Sequence, residues 1–187
     1  MSWDYNYWYI NNFYSKKERK NITSFIERNY KKIEDKEKAA TDDNGNIIKN
    51  TNTLEISWKK IKNLTKDLEA NINLINEQNF GYVLFPFSDL KDILLNIYDS
   101  KNKSAYGWHY DTSRSNLQDC KLTVLINLSE NYEGGELYFF QGYEHQVKEF
   151  TPGTVLLFKS HLYHKVMPVI KGVRKTLTLF CNGPKFR

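Results

Sequence analysis

The hydrophobic period changes at Gly81, and that change constrains the fold more than any other feature of the chain. Before it, apolar residues recur at helical intervals. After it, they alternate within short runs separated by turn residues. Strands are expected at Tyr82–Phe87, Asp92–Tyr98, Tyr106–Thr112, Lys121–Leu128, Glu136–Gln141, Val147–Phe150, Thr154–Lys159, His164–Ile170 and Val173–Cys181. Glu133-Gly134-Gly135, Thr151-Pro152-Gly153 and Lys171-Gly172 punctuate them as turns. Many short strands in roughly a hundred residues call for a sandwich or jelly roll.

The first part of the chain reads as helical support. Tyr9-Ile10 and Phe13-Tyr14 predict a short strand. Ser15 then stands three residues before Glu18, the spacing of a capping box, and Ile22, Phe25, Ile26 and Tyr30 line one face of the helix it would start. A second helix fits Ile61, Leu64, Leu68, Ile72 and Ile75. Between the two, residues 36–53 are polar with a turn at Asp43-Asn44-Gly45-Asn46, an exposed hairpin or loop. The expected fold class is therefore α+β: one domain over residues 1–187, with 1–80 mainly helical and 81–187 a β core.

Composition narrows the function less. Two cysteines, Cys120 and Cys181, lack the number and spacing of a disulfide framework and read as buried thiols. No apolar run has the roughly 18 residues a membrane helix needs. Met1-Ser2-Trp3-Asp4 does not resemble a signal peptide, so a cytoplasmic protein without membrane association is expected. The net charge of +5 comes from scattered lysines, better read as solvated helix faces than as a nucleic-acid surface. Nucleic acid stays open as a partner but is not favoured.

The chemistry concentrates in the β half. His109 and Asp111 share a strand face, about 6.5–7 Å apart, and His164 on a distant strand would complete two imidazoles and a carboxylate. That set leaves coordination positions open, as non-haem iron(II) oxygenases require. His161, three residues before His164, competes for the third place. Arg174 begins a strand on which Arg174, Thr176, Thr178 and Phe180 share one face, and Lys175, Leu177, Leu179 and Cys181 the other. A guanidinium beside two hydroxyls makes a poor core and a good carboxylate pocket. In Lys121–Leu128 the even positions Leu122, Val124, Ile126 and Leu128 would pack on helices, while Thr123, Leu125 and Asn127 face a cavity. Trp108 and Tyr110 alternate away from the metal side and read as packing, and His145 as a surface residue of a rim loop.

These residues resemble the prolyl-4-hydroxylase-like iron(II)/2-oxoglutarate oxygenases. The matching pieces are Tyr98, Tyr106 to Asp111, Leu122 to Leu128, Glu133 to Leu137, and His164 to Val169 leading to Gly172-Val173-Arg174. The resemblance implies a double-stranded β-helix (jelly roll) core and iron(II) held by His109, Asp111 and His164. It implies 2-oxoglutarate as co-substrate, its far carboxylate on Arg174 and its pocket lined by Tyr98, Thr123 and Thr178. Asn127 falls where some relatives place a carboxylate-binding tyrosine, and is counted with that pocket. Collagen-type members use lysine as anchor; Arg174 places this chain nearer the bacterial, oxygen-sensing and lysyl-hydroxylase branches. Ascorbate enters as an optional reductant.

The activity implied is hydroxylation of a prolyl residue in a peptide or protein, with release of succinate and CO2. The same machinery acting on a lysyl residue, free amino acid or nucleobase is the first alternative; a non-catalytic cupin-like metal-binding module is the alternative from another class. Tyr106, Phe180 and Arg114 are the candidate substrate contacts, the first two equally readable as packing. The loops 36–56, 112–119 and 142–145 would set selectivity.

Overall fold

The computed structural model describes residues 5–30, 40–41, 47–65, 67–113 and 116–186, with backbone alone at 40, 41, 47 and 48. Arg114 and the Asp43–Asn46 turn lie outside the described residues.

Two six-stranded sheets form the body. The first runs β1 (Tyr7–Ile10), β11 (Val155–Lys159), β7 (Asp119–Asn127), β14 (Val173–Gly183), β5 (Asp92–Asp99) and β4 (Asn52–Ser57). The second runs β10 (Glu144–Gln146), β9 (Leu137–Phe140), β12 (His164–Val166), β6 (Tyr106–His109), β3 (Ile47–Lys49) and β2 (Ala40–Thr41). A two-stranded ribbon pairs β8 (Glu133–Gly134) with β13 (Val169–Lys171). The pairings are antiparallel, and the topology resembles that of a double-stranded β-helix, although the sheets do not close into a barrel.

The alternation read in β7 and β14 explains the layering. Leu122, Val124, Ile126, Leu177 and Leu179 point out of the first sheet into a cluster with Ile22, Ile26, Ile61, Leu68 and Ile72 from the helices. Each fully buried Leu or Ile is worth about 1.5–3 kcal/mol relative to exposure, so this face carries much of the stability. The opposite face of the same sheet gives Leu125, Leu156 and Phe158, which meet Leu137, Phe139 and Val166 of the second sheet. The site lies at one end of this inter-sheet layer.

Helix α1 (Lys16–Asn29) starts at the expected capping box: the Ser15 hydroxyl accepts from the Glu18 amide at 3.3 Å, and the Ser15 amide donates to the Glu18 carboxylate at 2.9 Å. Arg19 is buried beneath it, donating to the Tyr14 carbonyl and to Glu130.

Several expectations need correction. The second helix is not continuous: α2 (Trp58–Ile61) and α3 (Leu68–Ile75) are separated by a 3-10 turn and by Asp67 at φ +67, where the chain changes direction. Residues 1–80 supply more than helices, because β1 to β4 also extend both sheets. Tyr82–Phe87 is no strand. Pro86 removes a donor there, and Phe85 makes a backbone bond to Asn182 at 2.8 Å. Val147–Phe150 is a turn, its strand lying just before it at Glu144–Gln146, which puts His145 on β10 rather than in a loop. Pro168 divides the predicted strand from His164 into β12 and β13.

Candidate active site

The two imidazoles arrive on neighbouring strands in the second sheet. His109 closes β6, His164 opens β12, and the two face each other in register. Asp111 follows β6 rather than lying within it; its amide donates to the Ser160 carbonyl at 2.9 Å, which fixes the backbone beyond the strand end. Side-chain donor atoms of His109, Asp111 and His164 lie within 4.8 Å of one another. The Nε2 atoms of His109 and His164 are 3.7 and 3.5 Å from Asp111 oxygens.

Each ring is anchored through its other nitrogen. His109 Nδ1 is 2.7 Å from the Gly107 carbonyl, and His164 Nδ1 is 2.8 Å from that of Leu162. A carbonyl can only accept, so Nδ1 bears the proton and the Nε2 lone pairs point at the cluster. Burial pushes both imidazoles down to about 4, aided at His109 by its neighbour His164. They are neutral at physiological pH, as metal ligands must be. Asp111 is held above the ordinary carboxylate range, chiefly by burial. Tyr106 stacks on His109 with centroids 3.5 Å apart.

A cavity of about 250 Å3 opens from these three residues. Arg174, Thr176, Thr178 and Phe180 line it from β14, Asn96 and Tyr98 from β5, and Tyr106 from β6. Arg174 is only 1% exposed, and its Nε and Nη2 have no hydrogen-bond partner. Its guanidinium lies 4.9 Å from the Tyr98 ring and 5.3 Å from that of Phe150. Gly135, at φ +68, makes room for it: a Cβ there would lie 3.0 Å from Arg174 Cδ. The Thr176 hydroxyl is likewise buried without a partner. Unpaired buried donors of this kind are costly. They fit an anionic, bidentate ligand such as a carboxylate, while the His-Asp-His cluster fits a divalent metal.

Thr178 also lines the cavity, and its oxygen accepts from Asn96 Nδ2 at 2.9 Å, leaving its own proton to point elsewhere. Asn96 escaped sequence reading, because its part depends on cross-strand register. Two residues assigned to this pocket are placed otherwise. Thr123 is fully buried behind Asp111 and donates to its Oδ2 at 2.7 Å. Asn127 spends its amide on the Tyr132 hydroxyl and the Phe150 carbonyl. His161 is exposed, edge-on to Phe186, away from the cluster. Trp108 packs on Tyr163 as expected, but Tyr110 is 54% exposed and lines the cavity mouth. Lys49, from β3, reaches the same mouth.

Residues 93–182 match the family model of the 2OG-Fe(II) oxygenase superfamily. A PKHD-type hydroxylase of Synechococcus sp. (strain CC9605) is 40% identical over 74 residues, 37% of this chain. That matched stretch spans 33% of the relative's length. Among solved structures, a prolyl-4-hydroxylase of Pseudomonas putida superposes with a TM-score of 0.66 at 18% identity, covering 94% of this chain and 91% of that one. A prolyl hydroxylase of Trichoplax adhaerens, solved with a hypoxia inducible factor peptide fragment, gives 0.70 at 18% identity, covering 94% and 83%. Residues 93–182 thus match the 2OG-Fe(II) oxygenase superfamily, and the chain is prolyl-4-hydroxylase-like in fold.

Proposed function

We propose that this protein is an iron(II)- and 2-oxoglutarate-dependent dioxygenase that hydroxylates a prolyl residue in a peptide or protein. One observation carries the reading: a buried guanidinium at Arg174, with two nitrogens left without a hydrogen-bond partner, lines the same cavity as the His109-Asp111-His164 cluster. A cupin-like module that only holds metal has no use for a costly buried cation beside it.

In this reading His109, Asp111 and His164 hold the iron. Iron with 2-oxoglutarate supplies the oxidation: dioxygen is consumed, the co-substrate becomes succinate and CO2, and a substrate C–H becomes C–OH. Arg174 grips the far carboxylate through parallel charge-assisted bonds, and Thr178, its oxygen already satisfied by Asn96, donates into the same pocket. Tyr98 keeps its phenol protonated, since burial raises it above the ordinary range, and packs against the guanidinium. The protein's contribution is thus position and a dry site rather than general-base chemistry. Tyr106, Phe180 and Tyr110 stand where an incoming residue would touch them.

Hydroxylation is supported by the hydroxylase names of the relatives, and a peptide substrate by a fold-sharing enzyme solved with a peptide. We also read the chain as one domain built on a double-stranded β-helix, and its two free thiols, Cys120 and Cys181, as suited to a reducing compartment such as the cytoplasm. No described helix is long and apolar enough to cross a membrane. The test is aerobic turnover with iron(II), 2-oxoglutarate and ascorbate on a panel of proline peptides, lysine peptides, free amino acids and oligonucleotides. Succinate release with a gain of one oxygen on a proline peptide is expected. Oxygen added only to another member of the panel would remove the prolyl assignment, and no succinate with any member would remove the enzyme.

A further inference from the structure

Behind Asp111, on the side away from the cavity, stands a buried row of three small polar side chains. Thr123 donates to Asp111 Oδ2 at 2.7 Å. Its oxygen lies 3.0 Å from the Ser160 hydroxyl, which in turn lies 3.0 Å from the Cys120 sulfur. Thr123 and Ser160 are both fully buried, and Cys120 is nearly so.

The direction of every proton in this row follows from the acceptor at its end. A carboxylate that holds a metal is ionised and can only accept, so the Thr123 proton goes to Asp111. Thr123 must then accept from Ser160, and the Ser160 oxygen is left to accept from the Cys120 thiol. Burial pushes that thiol up to about 12, so its proton is present to donate. The Leu122 carbonyl, its other acceptor, is farther off at 4.0 Å. Ser160 has a second hold on the same residue, since its carbonyl accepts the Asp111 amide at 2.9 Å and its own amide donates to Lys121 at 3.0 Å. Asp111 is therefore held at both backbone and side chain from one point on the loop after β11.

We infer that Thr123, Ser160 and Cys120 form a one-way hydrogen-bond relay that positions the Asp111 carboxylate for metal binding. This rests on the metal assignment proposed above. Asp111 lies beyond the end of β6, where no ladder restrains it, so its side chain would otherwise sample several rotamers. Locking one of them in advance lowers the cost of binding, and partners of this kind contribute roughly 10- to 100-fold to metal affinity. The relay makes Thr123 and Ser160 positioning residues, with Cys120 setting the polarity of the row.

The test is anaerobic titration of manganese(II) and cobalt(II) into wild type, Thr123→Val, Thr123→Ser, Ser160→Ala and Cys120→Ala, with melting temperatures of the metal-free proteins measured in parallel. Thr123→Val keeps the shape and loses the hydroxyl; its affinity should fall by about 10- to 100-fold. Thr123→Ser should recover most of that loss, a rescue that a purely structural role for the methyl group would not give. Ser160→Ala should show a smaller loss and Cys120→Ala the smallest, following distance from the carboxylate. If Thr123→Val does not fold, Ser160→Ala decides alone, because the proton it removes reaches the site only through Thr123. Wild-type affinity in the variant that decides would overturn the relay. Absence of metal binding by the wild-type protein would instead overturn the metal assignment itself.

Discussion

Replacing Arg174 with methionine should weaken 2-oxoglutarate binding and raise the stability of the free protein, two effects with one physical origin. The guanidinium is 1% exposed, and Nε and Nη2 make no hydrogen bond. Its compensation within the protein is a hydrogen bond to the Tyr98 hydroxyl and contact with the Tyr98 and Phe150 rings at 4.9 and 5.3 Å, the ring contacts worth about 0.5–2 kcal/mol. An uncompensated buried ion costs several kcal/mol, and exchanging such groups for apolar ones of similar volume is often neutral or stabilising by about 1–4 kcal/mol. Methionine keeps an unbranched stem and also packs well on aromatic rings. A gain of about 1–2 kcal/mol would raise the melting temperature by roughly 2–8 °C in a chain of this size. Binding moves the other way. Removing one partner of a buried ion pair costs about 3–5 kcal/mol, and at about 1.4 kcal/mol per tenfold the dissociation constant should rise by roughly 100- to 4,000-fold. Calorimetric titration of 2-oxoglutarate into manganese-loaded protein, with thermal melts of the free proteins, measures both. An affinity within about threefold of wild type, or a melting temperature lowered by more than about 5 °C, would show that the guanidinium serves the fold and not a ligand.

His164→Ala should lose measurable metal binding and turnover, whereas His161→Ala, altering an exposed ring beside Phe186, should retain both within about twofold; the reverse outcome would transfer the ligand to His161. Asn96→Ala should raise the dissociation constant for 2-oxoglutarate by roughly tenfold, the worth of one oriented hydrogen bond, with metal affinity unchanged; an equal loss in both would contradict its place in the carboxylate pocket. The metal-free protein should become less stable as pH falls from about 6.5 to about 4. With His109 and His164 both lowered to about 4, the unfolded chain binds more protons than the folded one in that window, so stability rises with pH. Asp111, raised by burial, opposes this with one carboxylate against two imidazoles. A His109→Gln, His164→Gln variant should therefore show a flatter dependence of melting temperature on pH, and an unchanged slope would refute the assignment of neutral rings.

How much of this was legible beforehand depends on how local the cause is. The α1 start was readable because its capping box lies within four consecutive residues, Ser15 to Glu18. The faces of β7 and β14 were readable because each strand has helices on one side and the cavity layer on the other, so one face is largely apolar and the other mixed. The three candidate ligands and Arg174 were readable as a spacing. What escaped depends on register between distant strands. Thr123 was read as facing the co-substrate, yet it lies 0% exposed behind Asp111, because Asp111 sits past the end of β6 and leans on the Ser160 loop. Asn96 and Ser160 are ordinary polar residues until Thr178 and Asp111 are brought beside them. Tyr82–Phe87 has strand composition, but no ladder of backbone bonds is described for it and Phe85 meets β14 through its amide to the Asn182 carbonyl; periodicity cannot see a missing partner. The break at Asp67 also left no mark, since apolar spacing continues across it from Ile61 to Leu68.

The most direct test of a shared metal and dicarboxylate pocket is optical. Iron(II) titrated without oxygen into protein holding 2-oxoglutarate should produce a weak visible charge-transfer band that saturates at one iron per chain. The band should be absent with either component alone, and absent at the same concentrations in His164→Ala. A wild-type protein that binds iron(II) and shows no such band at saturating 2-oxoglutarate would contradict the account.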